Sequence, residues 1–217
     1  MKLFIILLGI ALVAGIIAML VFVYVIQNVE QPDYQVVVQD GDFELRDYPP
    51  LVVAEVSGSG SRQQSLSSGF GPLARYIFAK ERGGERIAMT APVQQRALGT
   101  DEKIAMTAPV TQTPADDGNW SVQFIMPAEY GLEDLPPPGN EQVRLDQIPA
   151  RQLAAVRFSG RTNDQAIAEQ QARLEAWMAE RGLKPRGEPI YAYYNDPFTP
   201  GPLRRNEVML EVSSESS

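Results

Sequence analysis

The feature that most limits what this chain can fold into is a repeat at an offset of 100 residues. Residues 43–60 (FELRDYPPLVVAEVSGSG) lie over residues 143–160 (VRLDQIPARQLAAVRFSG), with identities at Leu45/Leu145, Pro49/Pro149, Ala54/Ala154, Val56/Val156, Ser59/Ser159 and Gly60/Gly160. A helix signal follows each segment, and the two signals end alike, in AKERG at 79–83 and MAERG at 178–182. Order and content both repeat, so the chain is expected to build two like halves, 34–134 and 140–212. Each half reads as strand, strand, helix, strands. An antiparallel sheet with one helix on each half must bury its apolar face, which predicts an α+β body with a pseudo-twofold axis in which the two sheets join or close. The crevice where such halves meet is a natural ligand site.

Alternating apolar residues predict strands at 34–38, 43–46, 51–56, 120–126, 189–195 and 206–212. The second helix is predicted from a capping box of Thr162 and Gln165, a common face of Ile167, Leu174, Trp177 and Met178, and Gly182 as its stop. In the first half, Phe70, Leu73, Ala74 and Ile77 share a face. Pro72, tolerated best in a first turn, places the start between Ser65 and Pro72, with Gly83 as the end and the Ser/Gly run 57–69 as a mobile connection. The Pro-rich residues 135–139 form a stiff connector between the halves, and 213–217 a disordered tail.

Inside the first half a nonapeptide is doubled: residues 85–93 (ERIAMTAPV) return as 102–110 (EKIAMTAPV). A short polar stretch separates them and each copy alternates with a period of two, so they are expected to form a hairpin, with Pro92 and Pro109 at an edge, end or bulge.

Residues 3–26 run for 24 positions without a charge. As a helix they would reach roughly 36 Å, enough to span a bilayer. The stretch is too long for a signal-peptide core and lacks a small-x-small exit. The expectation is an uncleaved anchor at 1–26, a linker at 27–33, the amino terminus inside and the globular part, 34–212, extracytoplasmic.

The formal net charge of −8 argues against a nucleic-acid partner, which needs a clustered positive field. The chain has neither histidine nor cysteine. That removes thiolate catalysis, disulfides and the common nucleophile and base pairs of hydrolases, and no Ser-x-x-Lys, Gly-x-Ser-x-Gly or phosphate loop stands in its required context. Acidic pairs at 116–117 and 133–134 read as solvated turns. An apolar, aromatic and Met-containing interior suits binding of a flat ligand better than acid/base catalysis. Tyr191, Tyr193 and Tyr194, close in sequence to Arg204 and Arg205, form either a rim for a carboxylate-bearing ligand or core aromatics beside solvated arginines.

The paired IAMTAPV motifs, Tyr76-Ile77, FIMP at 124–127, the three prolines at 136–138, YNDPF at 194–198 and RNEV at 205–208 resemble the SOUL haem-binding protein family over residues 34–212. The resemblance implies a distorted antiparallel β-barrel of duplicated halves flanked by two helices, a fold shared with gyrase-inhibitor-like effector-binding domains. It also implies non-catalytic binding of haem or another tetrapyrrole. The family's pocket lies between the first helix and the last β-loop. Carried over by motif, this places Phe70, Leu73, Ala74, Arg75 and Ile77 on one side and Phe198, Leu203 and Arg204 on the other. Without histidine, an axial iron ligand is restricted to Tyr, Met, Lys or an outside molecule, and the metal site is left unassigned. Met89 and Met106 are the methionines of the repeated motif, with core packing as the competing role. The alternative to haem is a tethered effector-binding module for another hydrophobic small molecule or a partner protein.

Overall fold

The computed structural model describes residues 9, 13, 15, 29–98, 118–195 and 199–213. The chain divides into two compact units, Met1–Glu30 and Gln31–Ser217. In the first, Gly9, Val13 and Gly15 are helical. The single-pass membrane placement expected from residues 3–26 is overturned, because among the described residues no helix is long and apolar enough to cross a membrane. Apolar length states what a helix would span if one formed there, and most of that run lies outside the described residues. The extracytoplasmic placement rested on the span and falls with it.

The second unit contains nine strands and two helices: β1 (Gln35–Asp40), β2 (Phe43–Tyr48), β3 (Leu51–Ser59), α1 (Arg62–Ile77), β4 (Val93–Ala97), β5 (Asn119–Ile125), β6 (Arg144–Ile148), β7 (Arg151–Phe158), α2 (Asp164–Glu180), β8 (Pro185–Tyr193) and β9 (Asn206–Val212). All pair antiparallel in one sheet of order β1-β2-β7-β9-β8-β4-β5-β3-β6.

The order carries the duplication. Replacing each strand from β2 to β9 by its counterpart in the other half reverses the list and leaves it otherwise unchanged. The first repeated strand of each half therefore pairs with the second repeated strand of the other: β2 with β7 and β6 with β3. The registers agree to the residue, since Tyr48 faces Arg151 and Ile148 faces Leu51, the same pair shifted by 100. The axis passes where β4 meets β8, close to the facing pair Gln95 and Tyr191.

Both helices cover the same face of the sheet over two separate apolar clusters. Under α1, Leu73, Tyr76 and Ile77 pack with Ala54, Val56, Val93, Val122 and Phe124. Under α2, Ile167, Leu174, Trp177 and Met178 pack with Leu45, Ala154, Val156, Val208 and Leu210. Strand side chains alternate, so Val53, Leu153, Ala155, Ala192 and Met209 belong to the opposite face, and these are buried too. That face has no helix over it among the described residues. With β1 and β6 as its two edges, the sheet is open and is not the closed barrel that was expected.

Helix α1 begins earlier than Pro72 suggested. Ser61 caps it and accepts from the Gln64 amide at 3.3 Å, while the Gln64 side chain accepts from the Ser61 amide at 3.1 Å. Most of the expected mobile connection is therefore helix, and Pro72 sits buried within it. For α2 the cap is Asn163, one residue beyond Thr162, accepting from the Ala166 amide at 2.8 Å. The first nonapeptide copy is not a strand. It runs irregularly to Val93 with a cis Ala91–Pro92 bond, Thr90 donates to the Ile125 carbonyl, and β4 pairs with β5 and β8. The second copy, with Met106 and Pro109, lies outside the described residues.

Gly69 sets how closely α1 approaches the sheet. A Cβ there would meet Cβ and Cγ2 of Val122, each at 2.9 Å. Alanine gains about 1 kcal/mol over glycine in a helix interior, and overpacking costs about 1–3 kcal/mol. Gly69→Ala is expected to destabilise by about 1 kcal/mol, measured as a lower denaturation midpoint. A raised midpoint would show that the helix stands off the sheet.

Candidate functional site

At the pseudo-twofold axis the two helices leave a cavity of about 460 Å³ on the helical face of the sheet, lined mainly by the first turns of α1 and α2 with Trp120 and Tyr191. Both helices start here, and their first residues are of opposite charge. Arg62 opens α1 and Asp164 opens α2, with Arg62 Nε donating to Asp164 Oδ1 at 2.9 Å. The guanidinium is buried and further held by the Tyr193 hydroxyl at 2.6 Å and the Thr162 carbonyl at 2.6 Å. Gln95, on the axis, donates to the Arg62 carbonyl at 2.7 Å and accepts from the Tyr193 hydroxyl at 3.3 Å. Burial pushes the Tyr193 hydroxyl up to about 12 despite the adjacent arginine.

The aromatic side of the cavity is polar only at its edges. The Trp120 indole donates to the Gly60 carbonyl at 2.9 Å, and the Tyr191 hydroxyl donates to Gln171 Oε1 at 3.3 Å. Their rings stand 6.3 Å apart, tilted by 42°. Burial raises the Tyr191 pKa; Arg62 opposes this, while Glu188, Asp164 and Glu175 add to it.

A second polar cluster lies elsewhere, around Glu207. Arg46 clamps its carboxylate with Nη1 at 2.7 Å and Nη2 at 3.0 Å, Arg205 adds Nη2 at 2.7 Å, and the Tyr194 hydroxyl donates at 2.8 Å. Arg46 also lies over the Tyr34 ring at 4.5 Å, and Arg205 over Tyr194 at 3.9 Å. Tyr194 and Arg205 thus serve a buried network, whereas Tyr191 lines the cavity and Tyr193 is bonded to Arg62 and Gln95; the residues of the single aromatic rim read from their spacing are divided between two places.

The residues carried over by motif fall into three groups. Leu73 and Ile77 are fully buried under α1, Ala74 is half-buried, and Phe70 keeps 40% of its surface exposed, its edge 5.2 Å from Phe124. Arg75 pairs with Glu81. On the last loop, Leu203 is exposed, Arg204 donates to the Thr199 carbonyl at 2.7 Å, and Phe198 lies outside the described residues. The loop reaches the helical face through Gly201, whose carbonyl accepts from Gly160 at 3.0 Å, two residues before Thr162. None of the seven that are described lines the cavity on the axis.

Among the described residues no group of three His, Cys, Asp or Glu could hold a metal ion. Met126, Met178 and Met209 are buried in the core; Met89 is 37% exposed. A tetrapyrrole would find aromatic and aliphatic surface on this chain, and no imidazole or thiolate for its iron.

The fold and cavity define the chain as a duplicated α+β domain with a concave site on its axis. The chain belongs to the SOUL haem-binding protein family, whose model matches residues 29–211. No curated protein matches it at a significant level. Among solved structures it is similar to a hydrolase from Listeria innocua (16% identity, TM-score 0.54, 82% of this chain and 94% of that one). It is similar also to the EcmrR C-terminal domain (15% identity, TM-score 0.53, 83% and 98%). At these identities the likeness is one of fold.

Proposed function

We propose that this chain binds haem or a related tetrapyrrole without acting on it, on the outer surface of α1. The observation that supports this reading is Phe70, an aromatic ring left 40% exposed on a helix whose neighbouring apolar residues, Leu73 and Ile77, are fully buried. Ala74 and Arg75 flank it and Leu73 and Ile77 back it; the resemblance to the family assigns the facing wall to the last loop, with Leu203 and Arg204. Family membership supplies the ligand class. Arg75 lends its side chain to a ligand carboxylate by giving up an exposed pair with Glu81, an exchange that costs little at the surface. Iron would supply axial coordination, and with no histidine or cysteine the chain's own contribution is stacking and edge contacts. The absence of any nucleophile and base set in the sequence supports binding over catalysis.

Haemin and metal-free protoporphyrin titrated into the purified protein test this. Both are expected to bind within about threefold of each other, a difference under about 1 kcal/mol. Phe70→Ala is expected to weaken both by about tenfold, from lost ring contact. Absence of a Soret change and of tryptophan quenching with either porphyrin overturns the reading. Haemin binding a hundredfold tighter than the free porphyrin would reveal a protein ligand to iron.

A further inference from the structure

We infer that β1 is an interaction edge, along which two copies of this chain pair antiparallel into one continuous sheet. Every residue of β1 is exposed, among them Val36 at 47%, Val37 at 51% and Val38 at 37%. The strand is nonetheless held at both ends. Asp40 accepts from the Trp177 indole at 3.1 Å and from Arg181 at 2.6 Å, which ties the end of β1 to α2. Just before the start, the Tyr34 ring lies 5.0 Å from that of Tyr48, with the Arg46 guanidinium over it. An ordered strand with three exposed valines and no neighbour on its second side among the described residues is a template for another strand.

The opposite edge is built differently. β6 carries Arg144 and Asp146, and Asp146 Oδ1 accepts from the Gln147 amide at 2.8 Å, so one amide of that strand is taken by its own side chain. The counterpart of β1 at the offset of 100 is residues 135–140 (LPPPGN), whose prolines cannot donate to a ladder. Charge guards β6, and no charge stands between Gln35 and Gln39 on β1.

The sequence of β1 selects the partner. Residues 35–39 (QVVVQ) read the same in both directions, the self-complementarity that suits a twofold contact between identical strands. In antiparallel pairing centred on Val37, Val36 faces Val38, Gln35 faces Gln39, Tyr34 faces Asp40 and Asp33 faces Gly41, and no charge meets a like charge. A slip of one position sets Asp33 against Asp40 in one direction and against Asp42 in the other, and like charges directly opposite destabilise a pair. The register with β2 shifts between Val36 and Val38, which leaves Val37, the residue on the axis, outside that ladder. A twofold axis normal to the sheet keeps the helices of both copies on one side. The contact is shorter than a standard interface of about 1,600 Å², so association in the micromolar range is expected.

Sedimentation of the full chain should show a dimer that dissociates on dilution through that range. Val37→Lys sets two ammonium groups face to face on the axis and should return the monomer with unchanged circular dichroism. Because the chain has no cysteine, introduced thiols report the register without interference. Val37→Cys is expected to cross-link to a dimer under mild oxidation. Gln35→Cys and Gln39→Cys should each cross-link poorly alone, since like positions lie about 13 Å apart along the strands, and readily when the two variants are mixed. Association that survives Val37→Lys overturns the inference, as does a Val37→Cys that does not cross-link, or Gln39→Cys cross-linking equally well alone and in the mixture. Open-ended polymers would place β1 of one copy on β6 of the next and overturn the twofold contact as well.

Discussion

Glu207→Gln is expected to lower the stability of this protein by about 3–5 kcal/mol, the usual cost of removing one partner from a buried ion pair. Glu207 and Arg46 are each 1% exposed. The substitution keeps shape and some hydrogen bonds, yet takes from the buried Arg46 guanidinium its bidentate partner, leaving it the part-exposed Glu44 at 2.7 Å, and leaves Arg205 with no counter-charge in contact among the described residues. For a chain of this size the loss corresponds to a fall in melting temperature on the order of 10 °C. Burial alone would raise the Glu207 pKa; the hydrogen bonds and charges of Arg46 and Arg205 more than offset this and hold it below the ordinary value of 4.5. A lowered folded-state pKa means stability that is fully present above the unfolded value and is lost as pH falls from about 4.5 through the folded value. The wild type should therefore lose stability in that acid window and Glu207→Gln should lose less. Arg46→Met combined with Glu207→Gln should cost clearly less than the two single changes added, since the orphaned charge is gone. A loss below about 1 kcal/mol from Glu207→Gln would mean that water reaches the cluster and screens it.

This network also shows what could be read before the fold was known. Strand β9 was legible to the residue from the short apolar run at its centre, though Asn206–Leu210 are buried on both faces, and the buried face of α2 was legible from its spacing. Two halves were legible from the offset of 100. The exchange of β2 and β6 between halves was not, because pairing across the axis depends on which sheet edge lies nearest in space. Helix α1 was placed too late because Pro72 outweighed the S-x-x-Q signal of Ser61 and Gln64, which was present in the sequence. The repeated nonapeptide alternates like a strand, yet its first copy is held by Thr90 and by β4 beyond it.

Residues 102 apart, Arg62 and Asp164, meet because both follow a helix cap in equivalent halves. The capping side chains of Ser61 and Asn163 stand just before them, one passed over in favour of a later start and the other in favour of Thr162, and only the axis brings Arg62 and Asp164 together. The motif-derived positions Leu73 and Ile77 belong to the same amphipathic stripe that predicts the core, and burial under α1 is the outcome that stripe dictates. Phe70 is the member of the group that the fold leaves outside.

The duplication makes a quantitative demand on stability, and the pair Leu73 and Leu174 tests it. Each is fully buried, one beneath α1 and one beneath α2, in clusters that share no residue. Truncation of such a leucine removes its transfer free energy and leaves a cavity, at a cost of about 2–5 kcal/mol. Leu73→Ala and Leu174→Ala are each expected to fall in that range, read from denaturant midpoints at constant slope. Because the clusters are separate, the double variant should lose the sum of the two within about 0.5 kcal/mol. The unfolding should nonetheless remain a single transition. β2 completes the second half's sheet and β6 the first half's, so neither half keeps a whole sheet when the other opens. Two resolved transitions in either single variant would show that the halves fold independently, and the strand exchange would then not couple them. A coupling above about 1 kcal/mol in the double variant would show instead that the two clusters meet across the axis and share one core.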